Sequence, residues 1–365
     1  MSAISSWDEF PVHQTSEPVR HVATSDRNFF DRYYFNCQAS SDEIMVVISM
    51  GQYPNLGTQD SFVAVQRGDS YRVVRASREL GDRMDLSVGP FRYEVIEPLK
   101  IVRCTLDENE HGLSYDLTWR GSIPAVEEQS HFIRRFGRRL FDTCRFAQTG
   151  RWTGTLKVGG ETFDVEPKKW VGTRDRCWGV RPIGEPEAPG IQAKGGFVMG
   201  GFWTYFPMQF DDHSILYIRQ EGADGSPILY DARRIWNDPN RAIESLGRVE
   251  YKHDLFPGTA ILEKAYLRFP DAPGGAIEIL CEGLTSLFLS VGTGYGADPD
   301  WRHGMYHGPL VVQGREYKTS EIAKRGEFGV IDSVGRFHYG GKTGFGLLEH
   351  VFLTQALKNR AASQS

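Results

Sequence analysis

The sequence lacks most of the features by which common classes of protein are identified. Its five cysteines are scattered and never spaced as Cys-x-x-Cys, which argues against a disulfide framework or a zinc ribbon and favours a reducing compartment. No apolar run reaches the roughly 18 residues that a membrane span requires, and the acidic N-terminus lacks the apolar core of a signal peptide. We therefore expect a cytoplasmic protein without a membrane span.

Signatures of nucleic-acid and nucleotide binding are also missing. The net charge is −5, and the one basic run, residues 134–139, is better explained by a solvated loop or inter-domain ion pairs than by a phosphate patch. Gly341-Lys342-Thr343 has no glycine five residues before Gly341, as a phosphate loop would require. We predict no nucleic-acid partner and no cofactor.

The pattern that is present is one of β-strands. Helical periodicity is almost absent, and alternating apolar runs recur about every ten residues between Gly, Pro, Asp and Asn, as in antiparallel sandwiches and barrels. The chain is long enough for two domains. We predict an all-β protein with an extension at 1–28, β domains at 29–185 and 186–355 packed side by side, a tail at 356–365, and a short helix near 125–130.

The stretch Gly172–Pro182 at the centre of the chain combines an acid, three arginines, a thiol and an indole. Asp175 could be a fixed carboxylate at the mouth of a pocket, with Trp178 as an apolar wall. Flanking arginines would lower its pKa and favour a base over a proton donor. The alternative is a buried Arg–Asp network that joins the two domains. A nucleophilic Cys177 is disfavoured because no histidine is nearby.

A second candidate segment is Asp300–Gly308, in which His303 and His307 are four residues apart. This spacing binds metals on helices, but the adjacent glycines argue against a helix and no third ligand is evident. We predict no metal site. His303 or Tyr306 could act as an acid or base in a pocket, or the segment could be a structural loop.

An aromatic hairpin in the second half offers either a core or the lining of a cavity. Trp203 and Tyr205 share one strand face, and Tyr217 lies in the partner strand. Glu349 and His350 are adjacent in the last strand, so they face opposite sides and at most one looks inward.

Several motifs resemble those of a bacterial family of two-domain lipocalin-like proteins. They are Gln148-x-Gly150, Gly154-x-Leu156-x-Val158-x-Gly160, Gly172-x-Arg174-Asp175-x-x-Trp178-Gly179-x-Arg181, Trp301-Arg-His303-Gly304 and Gly344-x-Gly346-x-x-Glu349-His350. The resemblance covers roughly residues 20–355. This family is similar to the superfamily of carotenoid hydratase (hydroxyneurosporene synthase) and AttH-like proteins, which includes kievitone hydratase-like enzymes and pericyclases.

The resemblance implies two lipocalin-like β-barrel or sandwich domains with a ligand cavity in a barrel or at their interface. It also implies cofactor-free chemistry on a large apolar molecule. The sequence departs from the family at one point: where the central signature usually has His-Ser, this chain has Arg176-Cys177. If that histidine is a proton shuttle in relatives, either the motif here is mainly structural or the chemistry has moved.

We therefore predict a cofactor-independent lyase or isomerase (a hydratase, dehydratase or cyclase) acting on a hydrophobic terpenoid, steroid, polyketide or aromatic metabolite. The alternative is a non-catalytic carrier of a lipophilic small molecule, and a homodimer is one option for its assembly. Asp175 or Asp254 is the candidate carboxylate and His303 its acid/base partner. The predicted substrate-binding residues are Trp178, Trp203, Tyr205 and Trp301 as apolar wall, with Tyr217, Tyr251 and Tyr306 orienting an oxygen.

Overall fold

The computed structural model describes residues 4–135, 137–183, 200–296 and 298–353. Within these ranges the chain is almost entirely β-structure, which confirms the predicted all-β class. No helix among the described residues is long and apolar enough to cross a membrane.

The strands alternate with tight turns, many of them at glycine. In the first half they are β1 (Phe29–Gln38), β2 (Met45–Tyr53), β3 (Thr58–Arg67), β4 (Ser70–Glu79), β5 (Ser87–Val88), β6 (Phe91–Glu97), β7 (Ile101–Leu106), β8 (Leu113–Gly121), β9 (Val126–Glu127), β10 (His131–Arg135), β11 (Arg138–Val158), β12 (Glu161–Val165) and β13 (Val171–Val180). In the second half they are β14 (Phe202–Gln209), β15 (His213–Glu221), β16 (Pro227–Trp236), β17 (Glu244–Ser245), β18 (Glu250–Leu255), β19 (Leu262–Phe269), β20 (Ile277–Phe288), β21 (Leu310–Lys318), β22 (Ile331–Tyr339) and β23 (Lys342–Phe352). A 3-10 helix, Ser6–Glu9, and α1, Thr319–Gly326, complete the elements.

The first sheet is a nearly closed antiparallel barrel. Its strand order is β21-β4-β3-β2-β1-β13-β11-β8-β7-β6-β5, and β9, β10 and β12 also pair with β11. The two ends of the sheet approach each other, since a Cβ added at Gly89 after β5 would lie 3.1 Å from Val312 on β21. Because β21 comes from the second half of the sequence, it crosses the domain boundary predicted at 185.

The second sheet is an antiparallel half-barrel with the order β17-β16-β15-β14-β23-β22-β20-β19-β18. It lies against the first sheet. A hydrogen bond of 2.6 Å between the hydroxyls of Thr149 on β11 and Ser214 on β15 joins the two.

Alternation along the strands divides the buried side chains into three apolar clusters. On β1, Phe35 points into the barrel while the adjacent Tyr34 faces the space between the sheets. On β14, Phe206 lies in the concave side of the second sheet and Tyr205 faces the first sheet. Since successive side chains of a strand point to opposite faces, each strand at the junction supplies two clusters.

One local prediction differs from the structure. The segment predicted as a helix near 125–130 contains the short strand β9, which pairs with β11 because backbone groups beside a sheet are satisfied by the ladder. The central stretch is a strand as far as Val180. It is β13, paired on one side with β1 and on the other with β11, and so lies in the middle of the first sheet.

Close packing at Gly172, the second residue of β13, gives a test of this arrangement. A Cβ added there would lie 2.0 Å from the carbonyl oxygen of Asn36 on β1 and 2.6 Å from Nε1 of Trp152. We expect Gly172→Ala to lower the free energy of unfolding by about 1–3 kcal/mol, because the backbone must shift to relieve the overlap. Gly81→Ala is the matched control, since its nearest atom is 3.5 Å away. Equal urea midpoints for the two variants would contradict the packing described.

Candidate functional site

A cavity of about 340 Å³ lies between the two sheets. Its apolar wall includes Phe30 from β1, Phe141 from β11, Trp203 from β14 and Ile218 from β15. Its polar and charged lining includes Arg32, Tyr34, Glu128, Arg145, Asp175, Arg181, Tyr295 and Glu349. An apolar space with a few convergent polar groups is the usual form of a small-molecule site.

A larger cavity, of about 1410 Å³, opens from the first barrel. Charged residues in its lining pair with each other: Arg103 bonds Asp116 at 2.6 Å, and Arg83 bonds Asp31 at 3.2 Å. Because these charges neutralise one another near solvent, they are poorly suited to proton transfer. We therefore place the candidate site in the smaller cavity between the sheets.

The direction of the β13 side chains decides which residues of the central stretch reach this cavity. Asp175 and Cys177 line it. Arg174 points the other way, where Nε and Nη2 donate to Oε1 of Gln148 at 2.9 and 2.7 Å. Arg176 also points away and pairs with a carboxylate on β1. Alternation along one strand thus separates the acid from the arginines beside it in sequence.

The pKa of Asp175 shifts in the direction opposite to the one predicted from the sequence. Burial raises the pKa of its carboxyl from 3.8 to about 7, and nearby Glu128 and Glu349 add to the rise, while Arg145 and Arg181 oppose it. The predicted lowering by the flanking arginines is wrong because those side chains lie on the other face of β13. No hydrogen bond or ion pair to another described residue holds this carboxyl.

A buried ion pair stands beside Asp175. Arg145 on β11 donates from Nε to Oε2 of Glu128, and its Cζ lies 4.3 Å from the centre of the Tyr205 ring. Burial raises the pKa of the Glu128 carboxyl, although Arg145 opposes that rise. This pair fixes one cation and one carboxylate at the cavity wall.

Two further acids face each other across β22 and β23. Asp332 is the cross-strand partner of Glu349. Oδ2 of Asp332 accepts a hydrogen bond of 2.6 Å from the Tyr34 hydroxyl, and Oε1 of Glu349 accepts one of 2.5 Å from Nε1 of Trp203. Burial raises the pKa of both carboxyls. Neighbouring buried carboxyls cannot both ionise cheaply, so they hold a proton between them.

His303, the predicted acid/base partner of Asp175, is buried behind the cavity wall. Its Nε2 lies 3.1 Å from the carbonyl oxygen of Thr293, and its Nδ1 lies 3.5 Å from Nη2 of Arg181. The carbonyl requires a proton on Nε2, which leaves Nδ1 as the acceptor for Arg181. Burial and two nearby arginines, Arg32 and Arg181, lower the pKa of the ring well below 6.5. His303 is therefore neutral and orients Arg181.

The aromatic residues predicted near Asp175 divide into two groups. Trp203 lines the cavity, and Tyr205 packs behind it under Arg145. Trp178 lies on the opposite face of β13, 38% exposed and packed edge-on against Phe146. The predicted pairing of Asp175 with the face of Trp178 is thus corrected by the same alternation.

Other predicted site residues lie outside the cavity wall. They are Asp254, Tyr217, Tyr251, Trp301 and Tyr306. Asp254 is ion-paired with Lys252 at 2.8 Å. Tyr217 and Tyr251 belong to the apolar cluster in the concave side of the second sheet. Trp301 is buried under Arg75, and Tyr306 is 59% exposed. Strands and loops that look alike in sequence carry these side chains to other faces of the molecule.

The remaining sequence expectations concern metals, thiols and the last strand. No group of three or more His, Cys, Asp or Glu side chains suited to a metal ion occurs among the described residues. Burial raises the pKa of Cys177 to about 12, so its thiol is protonated. His350 points away from the cavity and accepts a hydrogen bond of 3.0 Å from the Leu262 N–H, which confirms that it and Glu349 face opposite sides.

Sequence reasoning missed Glu128, Arg145, Asp332 and Tyr295. A signal for one of them was present, because Asp332 interrupts an apolar strand run at a position where its neighbours are buried. Charged residues are rarely fully buried unless they are paired. Their partners come from other strands and could not be identified from local pattern.

The two-sheet β architecture is similar to that of two solved structures. Kievitone hydratase from Nectria haematococca matches with a TM-score of 0.50 at 14% identity over 88% of this chain and 89% of that one. An AttH-like protein from Nitrosomonas europaea matches with a TM-score of 0.54 at 12% identity over 94% of this chain and 98% of that one. At these identities the likeness shows the fold.

The chain belongs to a family described as a family of unknown function, DUF8625, whose model matches residues 4–358. No curated protein matches the sequence.

The carboxyl of Asp175, which has no partner among the described residues, makes a testable contribution to stability. Its pKa is 3.8 when solvated and about 7 in the fold, so the native state loses stability as pH rises from about 4 to 7. One pKa unit corresponds to about 1.4 kcal/mol. We expect Asp175→Asn to raise the free energy of unfolding at pH 8 by about 2–4 kcal/mol and to change it little at pH 4.

Urea unfolding at the two pH values measures this difference. Asp164→Asn on β12, an exposed strand carboxyl, is the control and should show no gain at pH 8. An equal or larger gain for Asp175→Asn at pH 4 would contradict the raised pKa.

Proposed function

We propose that this protein is a cofactor-independent lyase or isomerase of the hydratase, dehydratase or cyclase type, acting on a hydrophobic small molecule in the cavity between the sheets. The observation that carries the proposal is Asp175: a half-buried carboxyl with a pKa of about 7 that faces an apolar cavity and has no hydrogen-bond or ion-pair partner among the described residues. Such a group is protonated in a useful fraction at neutral pH and exchanges its proton readily.

Asp175 acts as the proton donor. For hydration of an alkene, the π electrons of the double bond form a C–H bond with the Asp175 proton, and the carboxylate is left behind. The pair Glu128–Arg145 stands close enough to influence the pKa of Asp175, so the charge change occurs inside an ordered set of charges. Preorganised charges lower the barrier because they need no reorganisation during the reaction.

Water adds to the other carbon. A water lone pair forms the C–O bond, and one water proton passes to a second carboxylate, for which Glu349 is positioned by its hydrogen bond from Trp203. Exchange with solvent returns that proton to Asp175, so the sum is substrate plus water. Dehydration follows the reverse path. Isomerisation or cyclisation would use the same donor without net addition of water.

The direct test is turnover by Asp175→Asn. Wild-type protein is incubated in D₂O with an extract of hydrophobic metabolites, and mass spectrometry identifies compounds that gain deuterium or the mass of water. We expect Asp175→Asn to lower the rate of that conversion by roughly 10²–10⁴-fold, the usual contribution of a positioned acid or base, while ligands still bind. Asp164→Asn should retain the wild-type rate. If both proteins retain the same ligands and no compound changes, the protein is a carrier and the proposal fails.

The pH dependence of the rate follows from the same group. Because the donor form of Asp175 is the protonated one and its pKa is about 7, hydration should fall about tenfold per pH unit above pH 8. The rate should also fall at acid pH, because Glu349 must be ionised to accept the water proton and its pKa is raised. The measurement is kcat/KM against pH with the substrate found above. A rate that still rises above pH 8 would assign Asp175 as the base instead of the acid.

A further inference from the structure

One end of the cavity is dominated by positive charge and hydrogen-bond donors. The Cζ atom of Arg181 lies 4.6 Å from the ring centre of Phe30 and 5.5 Å from that of Tyr295. The Cζ atom of Arg32 lies 5.9 Å from the same Tyr295 ring. Two guanidinium groups therefore flank one phenol at the cavity wall, and this set of three residues is called the donor corner below.

The positive charge of Arg181 is not neutralised by a carboxylate of the described residues. The other two cavity arginines are paired, Arg145 with Glu128 and Arg32 with Asp60 at 2.9 Å. No carboxylate within the described ranges forms an ion pair with Arg181, and its hydrogen-bond partner there is the neutral ring of His303. A neutral acceptor holds the guanidinium in place without cancelling its charge. Its remaining N–H groups are available to a ligand.

The other members of the donor corner also have unused capacity. Nη2 of Arg32 is buried without a hydrogen-bond partner among the described residues, although Nε and Nη1 are occupied by Ser49 and Asp60 at 2.8 and 2.9 Å. The Tyr295 hydroxyl has no hydrogen bond to any described residue. Unsatisfied buried donors are costly, and at a cavity wall they are satisfied when a ligand supplies an acceptor.

The donor corner and the acids act on each other across the cavity. Arg181 influences the pKa of Asp175, and Tyr295 is influenced by both Asp175 and Glu349. Asp175, Arg181 and Tyr295 line the same cavity, so a ligand that contacts Asp175 with one carbon can reach the donor corner with a nearby oxygen. A cationic carbon, by contrast, would develop beside two guanidinium groups, which disfavours its formation.

We propose that the substrate is a hydrophobic compound whose reacting double bond is conjugated to a carbonyl group, and that Arg181 and Tyr295 bind the carbonyl oxygen. This inference rests on the proposed function and names its substrate class. Water forms the C–O bond at the β-carbon while the double-bond electrons move toward the carbonyl, which leaves negative charge on its oxygen. Asp175 then protonates the α-carbon and the carbonyl is restored, while the water proton passes to Glu349. Donors aimed at an oxygen that becomes anionic stabilise this path.

The test compares two ligands that differ only in the oxygen. Chalcone carries a conjugated carbonyl, and diphenylpropene has a methylene group in its place. Equilibrium dialysis with mass-spectrometric detection gives Kd for both. We expect wild-type protein to bind chalcone at least about tenfold more tightly than diphenylpropene. Arg181→Leu and Tyr295→Phe should each reduce this ratio, Arg181→Leu to about one, with the Kd of diphenylpropene changed less than about twofold.

The control is Arg241→Gln, an exposed arginine stacked on Trp236 outside the cavity, which should keep the wild-type ratio. Circular dichroism checks that each variant is folded, and Tyr295→Phe retains the ring if Arg181→Leu does not fold. A ratio near one in wild-type protein, a ratio unchanged in both variants, or no binding of chalcone up to its solubility limit would overturn the inference.

The outcomes separate this inference from the proposed function. If wild-type protein shows no preference for chalcone but conversion still depends on Asp175, the proposed substrate class is wrong and the proposed enzymatic function stands. If the preference for chalcone is observed but no compound is converted, the protein is a carrier that binds a carbonyl oxygen, and the proposed enzymatic function is wrong.

Discussion

The two-residue period of β13 is the constraint on which the site depends. This strand lies in the middle of the first sheet, and its alternate side chains serve different neighbours. Arg174 and Arg176 face the barrel side, where Arg174 bonds Gln148 and Arg176 pairs with Asp31. Asp175 faces the second sheet and enters the cavity. A slip of one residue would exchange the two sets, placing arginines in the cavity and an acid against the barrel core.

The same constraint explains why the departure from the family signature leaves the cavity acid in place. Arg176 stands where relatives usually have histidine, and its guanidinium stacks on Tyr33 at 4.0 Å on the barrel side. Cys177 stands where they have serine, and it faces the cavity beside Asp175. The substitution at 176 therefore changes the packing of the barrel face, while the proton chemistry proposed here uses groups on the other face.

The cavity concentrates acids that would be more stable in water. Asp175, Glu128, Glu349 and Asp332 all have carboxyl pKa values raised by burial. Apolar side chains at these positions would make the fold more stable, because burying carboxyls lowers stability at neutral pH. Such a cost is common where binding or catalysis requires the groups. The acids between the sheets thus lower the stability of the fold and mark this space as the candidate functional site.

The sequence predicted the secondary structure and fold class more completely than it predicted the site. The strands, the glycine turns, the all-β class and the opposite directions of Glu349 and His350 follow from local alternation, and the motif resemblance identified a fold that the solved structures share. Asp175 and Trp203 were predicted from the sequence as site residues, and in the structure both line the cavity between the sheets. The surface position of Tyr306 and the opposite face of Trp178 were not anticipated, because pattern gives a period without stating which face meets which sheet.

The sequence by itself determined where the strands run and which side chains alternate, since those depend on neighbours one or two residues apart. Only the tertiary structure decided that Glu128, Asp175 and Glu349, far apart in the chain, act on one another at one cavity. It also decided that the Asp175 pKa rises instead of falling. Both outcomes depend on which distant strands pack together and on how far burial removes a carboxyl from water, and neither quantity is contained in a local stretch of residues.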